Sequence, residues 1–271
     1  MSTKAKGLTG LTALAIVAHP DDIEFYMAGT LLRLGAAGVK LHLWNLCNGH
    51  CGTAVLSPEE IVKVRWAEAQ ASAAVASATM HPPITEDIAL FHHDNFIRLV
   101  CGKVRQVKPN IILTQAPYDY MEDHMNASRL AVTGAFCRGM KNYPSTPAVP
   151  IWDGPVCVYH ATPHGLRDPL RRLVRSELYV DIGDVLPQKR AMLACHKSQK
   201  EWLDVSQGMD AYLTEMEKMS RAVGQLSARY VYAEGWRRHS HLGFAAEDYD
   251  PLSAALAGQC FTDARYVAEL G

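Results

Sequence analysis

The sequence predicts an α/β fold, a Rossmann-like parallel-sheet sandwich with a smaller α+β extension at its C-terminal end. Between residues 11 and 140, short apolar runs typical of strands alternate about four times with amphipathic segments typical of helices. The first run, residues 13–18, is apolar without interruption, as expected of a parallel strand buried on both faces. The chain has 271 residues, a length that suits one large α/β domain.

The remaining elements follow in chain order from the same patterns. Apolar residues at helical spacing, closed by Gly38, predict a helix over residues 24–37. The segment Ser57-Pro58-Glu59-Glu60 predicts the start of a helix that runs to about residue 77. The other predicted strands are residues 39–46, 84–90, 110–115, 156–159 and 177–181, and the other predicted helices are residues 95–106, 125–140, 185–196 and 206–228.

Composition restricts the class of protein. The formal net charge of −1 gives no electrostatic attraction to nucleic acid or to an anionic membrane, and no apolar run approaches the ~18 residues of a membrane span. The seven cysteines form no CxxC pair, which favours reduced thiols and a cytoplasmic protein. Without repeats or linkers in the sequence, we expect a single domain over residues 1–271, with a core of about 11–140 and a variable part of about 141–271.

A polar segment, His19-Pro20-Asp21-Asp22, directly follows the first predicted strand. A buried charge must be paired or bound to a metal, so we hypothesise that His19 and Asp22 hold a divalent metal while Asp21 acts as a base. His124 is the best third ligand, because it also follows a predicted strand and such strand ends share one edge of a parallel sheet. Two histidines and one aspartate suit zinc, with iron(II) or another divalent metal as the alternative. A simpler interpretation, in which the acids only cap the next helix, stays open at this point.

Two other sets of residues accompany this segment. Asp123, beside His124, is placed to orient a catalytic or ligand side chain. Arg65 and Glu68 lie three residues apart on one face of a predicted helix, where a surface ion pair is the simplest interpretation.

At these residues the sequence resembles the PIG-L/LmbE family of zinc-dependent de-N-acetylases. The most specific likeness is Ala18-His19-Pro20-Asp21-Asp22-Ile23-Glu24 followed by Gly29-Thr30, and the resemblance spans roughly residues 13–200. The further matching positions are Asn48-Gly49 with Gly52, Arg65 with Glu68, Asp94, the segment from Pro117 to His124, and the segment from Ala194 to Gln199.

The resemblance implies a metal-dependent hydrolase that removes the N-acetyl group of an amino sugar of the GlcNAc type, or of its conjugate, and releases acetate. It implies zinc, or another divalent metal such as Fe²⁺, bound by His19, Asp22 and His124, with Asp21 as the general base. It also implies a homo-oligomer, either a trimer or a hexamer. Two alternatives remain: a metal-dependent amidase that acts on a thiol conjugate or another non-sugar amide, and a non-catalytic sugar-binding protein.

The resemblance also concerns the substrate contacts. It implies that Arg65 and Asp94 contact the sugar, which replaces the ion-pair interpretation of Arg65. Many family members have a histidine that stabilises the oxyanion where this chain has Met121, whose side chain donates no hydrogen bond. We therefore expect a histidine from elsewhere in the sequence to take that role. The candidates are His241, which we favour, His239 and His196.

Overall fold

The computed structural model describes residues 10–199 and 211–270, and an eight-stranded sheet lies at its centre. The strands are β1 (Thr12–Val17), β2 (Lys40–Asn45), β3 (Thr79–His81), β4 (Ile111–Thr114), β5 (Cys157–Ala161), β6 (Leu178–Asp181), β7 (Ala233–Arg238) and β8 (Cys260–Thr262). Their spatial order is β3-β2-β1-β4-β5-β7-β6-β8, and β1 to β5 run parallel. The predicted α/β fold is confirmed, and the C-terminal strands extend the same sheet by antiparallel pairing.

Helices cover both faces of this sheet. They are α1 (Asp22–Tyr26), α2 (Ala28–Ala36), α3 (Pro58–Val75), α4 (Asp94–Val107), α5 (Glu122–Phe136), α6 (Leu186–Leu193), α7 (Ala211–Ser227), α8 (Pro251–Ala255) and α9 (Ala264–Glu269). Ala13 and Ala15 of β1 pack in a core with α1, α2 and α7, whereas Leu14 and Ile16 pack in a second core with α4 and α5. Alternate residues of a strand point to opposite faces, so the uninterrupted apolar run of β1 serves both cores. The first residues of the predicted helix 206–228 lie outside the described residues, and α7 is its described part.

The predicted helix over residues 24–37 is in fact two helices, which meet at Met27. A distant carboxylate explains the second start: the backbone N–H groups of Gly29 and Thr30 donate to Glu234 of β7, at 2.8 and 2.7 Å. An acid at a helix N-terminus satisfies N–H groups that have no partner within the helix. Because Glu234 lies some two hundred residues away in sequence, the spacing of apolar residues over 24–37 does not indicate this break.

The third strand was predicted at the wrong place, over residues 84–90. The structure has strand β3 earlier, at Thr79–His81, and Pro82 and Pro83 follow it directly. Proline donates no ladder hydrogen bond, which explains why the strand stops there. Residues 84–90 instead form a loop that reaches the edge of the sheet where β1 ends.

Strand β7 was not predicted, and its direction matters for the site. It pairs antiparallel with β5, with Ala161 opposite Trp236 and Tyr159 opposite Arg238. Strand β7 therefore begins at the edge where the parallel strands end and runs away from it. Residues that follow Arg238 are carried toward the opposite edge of the sheet.

Candidate active site

The candidate site lies at the edge of the sheet where β1 and β4 end. The chain leaves β1 through Ala18 and turns sharply before α1, with Asp21 in the left-handed backbone region at φ 100°. A positive φ is costly for an aspartate, and such strained residues cluster at functional sites. The turn is closed by the backbone N–H of His19, which donates to Asp22 Oδ2 at 2.7 Å.

His19, Asp22 and His124 come together as predicted, with one candidate ligand atom of each within 4.8 Å of the others. The Nε2 atom of His124 lies 3.3 Å from Asp22 Oδ1, and the Nδ1 atom of His19 lies 3.5 Å from Asp22 Oδ2. Asp22 and His124 are buried, and His19 is only slightly exposed. Two imidazoles and one carboxylate that converge at a strand end match the donor set of a catalytic zinc site.

Two buried carboxylates orient the histidines from behind. Asp119 Oδ1 lies 3.0 Å from Nδ1 of His124, and Asp123 Oδ2 lies 2.9 Å from Nε2 of His19. Each histidine therefore keeps its other ring nitrogen directed at Asp22, as in carboxylate–histidine–metal arrangements. The orienting role predicted for Asp123 agrees with its contact to His19, whereas Asp119 was not singled out in the sequence.

The protonation of these groups fits a cation site. Burial alone would lower the pKa of His124, but Asp22 and Asp119 outweigh it and raise that pKa to about 9. Burial likewise opposes protonation of His19, yet its hydrogen bonds to Asp123 and Asp22 raise its pKa well above the usual value. Burial would raise the pKa of the Asp22 carboxyl, but the two histidines lower it. Without a metal the cluster therefore holds protons, which a divalent cation would displace.

Asp21 points to different partners from those of Asp22. Its Oδ2 accepts a hydrogen bond from the Tyr212 hydroxyl of α7 at 2.6 Å and lies 3.5 Å from Nη2 of Arg65. Burial and the charge of Asp22 raise the pKa of Asp21, and Arg65 opposes that rise. A carboxylate with a raised pKa, held by two donors beside a candidate metal site, has the properties of a general base. Tyr212 was not identified from the sequence, because it is 191 residues away from Asp21.

Arg65 is a site residue rather than part of a surface ion pair. It is 2% exposed, and its Nη2 donates to the Pro20 carbonyl. Its Nε and Nη1 atoms are buried and have no hydrogen-bond partner among the described residues. Glu68 points elsewhere, since its carboxylate accepts from the backbone N–H and the hydroxyl of Ser198 at 2.8 and 2.7 Å.

A cavity of about 280 Å³ opens above these groups. Gly49 packs closely against Arg65: a β-carbon at this position would lie 3.0 Å from the arginine Nε. Gly49 also adopts a φ of +79°, a region that favours glycine. The Asp87 carboxylate holds this loop by accepting from the backbone N–H groups of Gly49 and Cys51. The lining residues of the cavity are His19, Asp21, Asp22, Gly49, Cys51, Gly52, Arg65, Asp87, Ile88, Tyr120, Met121, His124 and Gln199.

Asp94 does not line this cavity. It begins α4 at the surface, where its carboxylate pairs with Arg98 at 2.6 Å and accepts from the Tyr143 hydroxyl at 3.0 Å. Its sugar contact stays a prediction. Besides Asp21 and Asp22, the acid that lines the cavity is Asp87, which belongs to the loop of residues 84–90 that was predicted as a strand.

The predicted oxyanion partner, His241, does not line the cavity either. It follows β7, whose direction carries it away from the edge that holds His19. His239 lines another cavity beside α5, and His196 is fully buried 3.3 Å from Glu24 Oε1. The role of His241 stays a prediction that, in this geometry, requires a second copy of the chain.

A second candidate metal set shares His19. It consists of His19, Cys47 and Asp123, whose ligand atoms also lie within 4.8 Å of one another. Burial raises the pKa of the Cys47 thiol to about 11, so the thiol is protonated and a poor ligand at neutral pH. The set of His19, Asp22 and His124 is therefore the better cation site.

The fold and site define a class: α/β proteins with a two-histidine, one-aspartate candidate metal site where parallel strands end. Residues 14–135 match the family model described as PIG-L, GlcNAc-PI de-N-acetylase. Over that segment, a little under half of its length, the chain is similar to this family, as the sequence predicted. Among the described residues, no helix combines the length and apolar character needed to cross a membrane.

Three relatives illustrate the likeness. Diacetylchitobiose deacetylase of Thermococcus kodakarensis is 25% identical over 231 residues, which cover 83% of this chain and 81% of that protein. The structure of N,N'-diacetylchitobiose deacetylase from Pyrococcus horikoshii with its inhibitor MPG superposes with a TM-score of 0.73 at 20% identity, covering 90% of this chain and 89% of that one. GalB, the 4-carboxy-2-hydroxymuconate hydratase from Pseudomonas putida KT2440, has a TM-score of 0.69 at 22% identity, covering 85% and 96%. The structural likenesses establish the fold alone.

Proposed function

We propose that this protein is a metal-dependent hydrolase that removes the N-acetyl group of a GlcNAc-type amino sugar or its conjugate and releases acetate. The observation that carries the proposal is the convergence of His19, Asp22 and His124 beside Asp21 at one strand edge. The family match over residues 14–135 and the deacetylase relative of Thermococcus kodakarensis support it.

The metal in this proposal is zinc, with iron(II) as the alternative. It would be held by Nδ1 of His19, a carboxylate oxygen of Asp22 and Nε2 of His124, the atoms that the orienting carboxylates leave free. When bound, such a cation would polarise the acetamide carbonyl as a Lewis acid and lower the pKa of water toward ~7. The three residues fit this role because the two histidines carry exchangeable protons, Asp22 is a carboxylate, and all three line the cavity.

Asp21 moves the proton in this scheme. It accepts a proton from the water that attacks the amide carbonyl and then delivers it to the departing amine nitrogen. Tyr212 and Arg65 hold its carboxylate in place, and burial raises its pKa, which favours its acting as a proton acceptor. Arg65 lines the same cavity, and we assign its unpartnered Nε and Nη1 donors to the sugar or to the developing oxyanion.

The remaining oxyanion donor is the open part of the scheme. Met121 lines the cavity where a histidine is common in the family, and no imidazole other than the two proposed ligands lines it among the described residues. We propose that His241 of a second copy enters this space, which makes the homo-oligomer part of the site. Asp94 lies at the surface, so it would contact only a part of the substrate that extends out of the cavity.

Acetate release tests the function. The metal-loaded protein, with its metal content checked by elemental analysis, is assayed on N,N'-diacetylchitobiose and on an acetylated thiol conjugate. We expect acetate from the sugar, and a kcat at least ~10²-fold lower in Asp21→Asn, because general-base catalysis contributes that much or more. Asp184→Asn, at a largely exposed carboxylate on the surface, is the matched control and should behave as wild type.

The alternatives predict other results. Cleavage of the thiol conjugate alone would establish the amidase instead. Sugar binding without hydrolysis, in a protein shown to contain metal, would establish the non-catalytic binding protein. Either result would refute the proposed deacetylation.

A further inference from the structure

A second cavity, of about 490 Å³, lies beside α5 and shares no lining residue with the catalytic cavity in the described part of the chain. Its volume is within the range of about 300–1,000 Å³ typical of small-molecule sites. Pro117, Ser128 and Thr133 form one side of it, and β5 and β7 form the other. Nothing in the proposed hydrolysis uses this cavity.

The fold explains why the cavity exists. Helix α5 packs on β1 and β4, so the next strands, β5 and β7, extend beyond the helix on that face. His160 of β5 and Arg237 of β7 are directly opposite each other in the antiparallel ladder and so share a face. It is the face of Val158, which packs into the core formed with α4 and α5.

Arg237 has donors without acceptors. Its Nε and Nη2 atoms are buried and have no hydrogen-bond partner in the described part of the chain. No carboxylate from those residues lies within ion-pair distance of it. Buried donors on a charged group are expensive to leave unsatisfied, so a site that holds them points to an acceptor from outside.

The charged side chains that line this cavity are arginines, so its charge is positive. Arg129 of α5, an exposed residue, also lines it, and its charge lowers the pKa of the neighbouring His92 in addition to the effect of burial. The described lining residues include no Asp and no Glu. Arg238 is the exception among the arginines, because its Nε faces Glu177 at 4.0 Å.

The histidines in the wall are neutral and already engaged. His160 bonds through Nδ1 to the Gln115 carbonyl at 3.0 Å and through Nε2 to His239 at 3.1 Å. Burial lowers the pKa of His160 to about 4 and lowers that of His239 as well. Positive charge in the cavity at neutral pH therefore comes from the arginines.

We propose that this cavity binds an oxyanion, a phosphate or carboxylate group, through the guanidinium groups of Arg237 and Arg129. A guanidinium presents N–H donors in a fork that matches two oxygens of such a group. Ser128 in its wall follows His124 by four residues on α5, a rise of about 6 Å, so the anion would sit near the catalytic edge. The binding does not depend on the proposed deacetylation.

Calorimetric titration of the metal-loaded protein with inorganic phosphate tests the binding. We expect Arg237→Gln to weaken phosphate binding about tenfold or more, and Arg129→Gln several-fold, because each removes charged hydrogen bonds. Arg221→Gln is the matched control: it removes the same charge from an exposed position on α7, which packs on the opposite face of the sheet. Arg129 is also exposed, so its variant keeps the test valid if Arg237→Gln does not fold.

A comparison of substrates identifies where the anion comes from. If the substrate carries it, Arg237→Gln raises KM for GlcNAc 6-phosphate and leaves KM for unphosphorylated GlcNAc unchanged. If the anion is a separate ligand, phosphate binding falls in the variant while both KM values change alike or not at all. Phosphate binding that survives both substitutions would belong to the metal site and overturn the proposal. So would a change in molar mass by light scattering in Arg237→Gln, because the arginine would then contact another copy.

Discussion

Replacement of Asp119 by alanine tests the proposed metal site through a residue that is not itself a ligand. Asp119 is 1% exposed, and its Oδ1 lies 3.0 Å from Nδ1 of His124, so it fixes which ring nitrogen faces Asp22. Loss of such an orienting carboxylate typically lowers metal affinity by about 10–100-fold, or about 1.4–2.7 kcal/mol. We expect that loss in Asp119→Ala, measured by competition for zinc with a chromophoric chelator.

Two controls accompany this measurement. Asp184→Ala removes an exposed carboxylate and should leave zinc affinity unchanged. Cys47→Ala should also leave it unchanged, since Cys47 belongs only to the competing set with His19 and Asp123. A folded Asp119→Ala protein that binds zinc as tightly as wild type would refute the assignment of His124 as a ligand.

Three further predictions follow from buried groups. Tyr212→Phe removes the 2.6 Å hydrogen bond to Asp21 and should lower kcat about tenfold with little change in KM; an unchanged kcat would contradict the positioning role. The pKa of His160 is lowered to about 4 from 6.5, so the folded state binds fewer protons than the unfolded state. The protein should therefore lose about 3 kcal/mol of unfolding free energy as pH falls from 6.5 toward 4. Urea unfolding at several pH values should show that His160→Gln lacks this dependence of the unfolding free energy on pH. Glu234→Gln removes the negative charge that pairs with the buried Lys189 ammonium at 2.7 Å and should cost about 3–5 kcal/mol of unfolding free energy, most of it recovered in Glu234→Gln/Lys189→Met.

The parts of the site that could be predicted from the sequence are those whose residues lie within short segments of the chain. His19, Asp21 and Asp22 sit together in one turn, and His124 follows another strand end, so their meeting needed only the rule that parallel strands end at one edge. Arg65 was identified only through the family resemblance, because its spacing to Glu68 fits an ordinary ion pair equally well.

The parts not predicted depend on long-range contacts. Tyr212 reaches Asp21 from a helix near the C-terminal end, and Glu234 caps α2 from β7. Neither has a local pattern, since one hydrogen bond between distant residues leaves no periodicity in sequence. Asp119 could have been found as an acid five residues before His124 in the loop after β4, although that spacing alone is not specific.

The dependence of α2 on Glu234 bears on how the protein is made. The family-matched segment ends at residue 135, yet the acid that starts α2 and the tyrosine that donates to the proposed base both lie beyond it. During synthesis the turn with the proposed metal ligands His19 and Asp22 leaves the ribosome about two hundred residues before β7. A nascent chain can therefore bury β1 early but completes the contacts of the turn around Asp21 only after α7 and β7 have joined the fold. Truncations within β7 would spare every proposed ligand and still remove the support behind them.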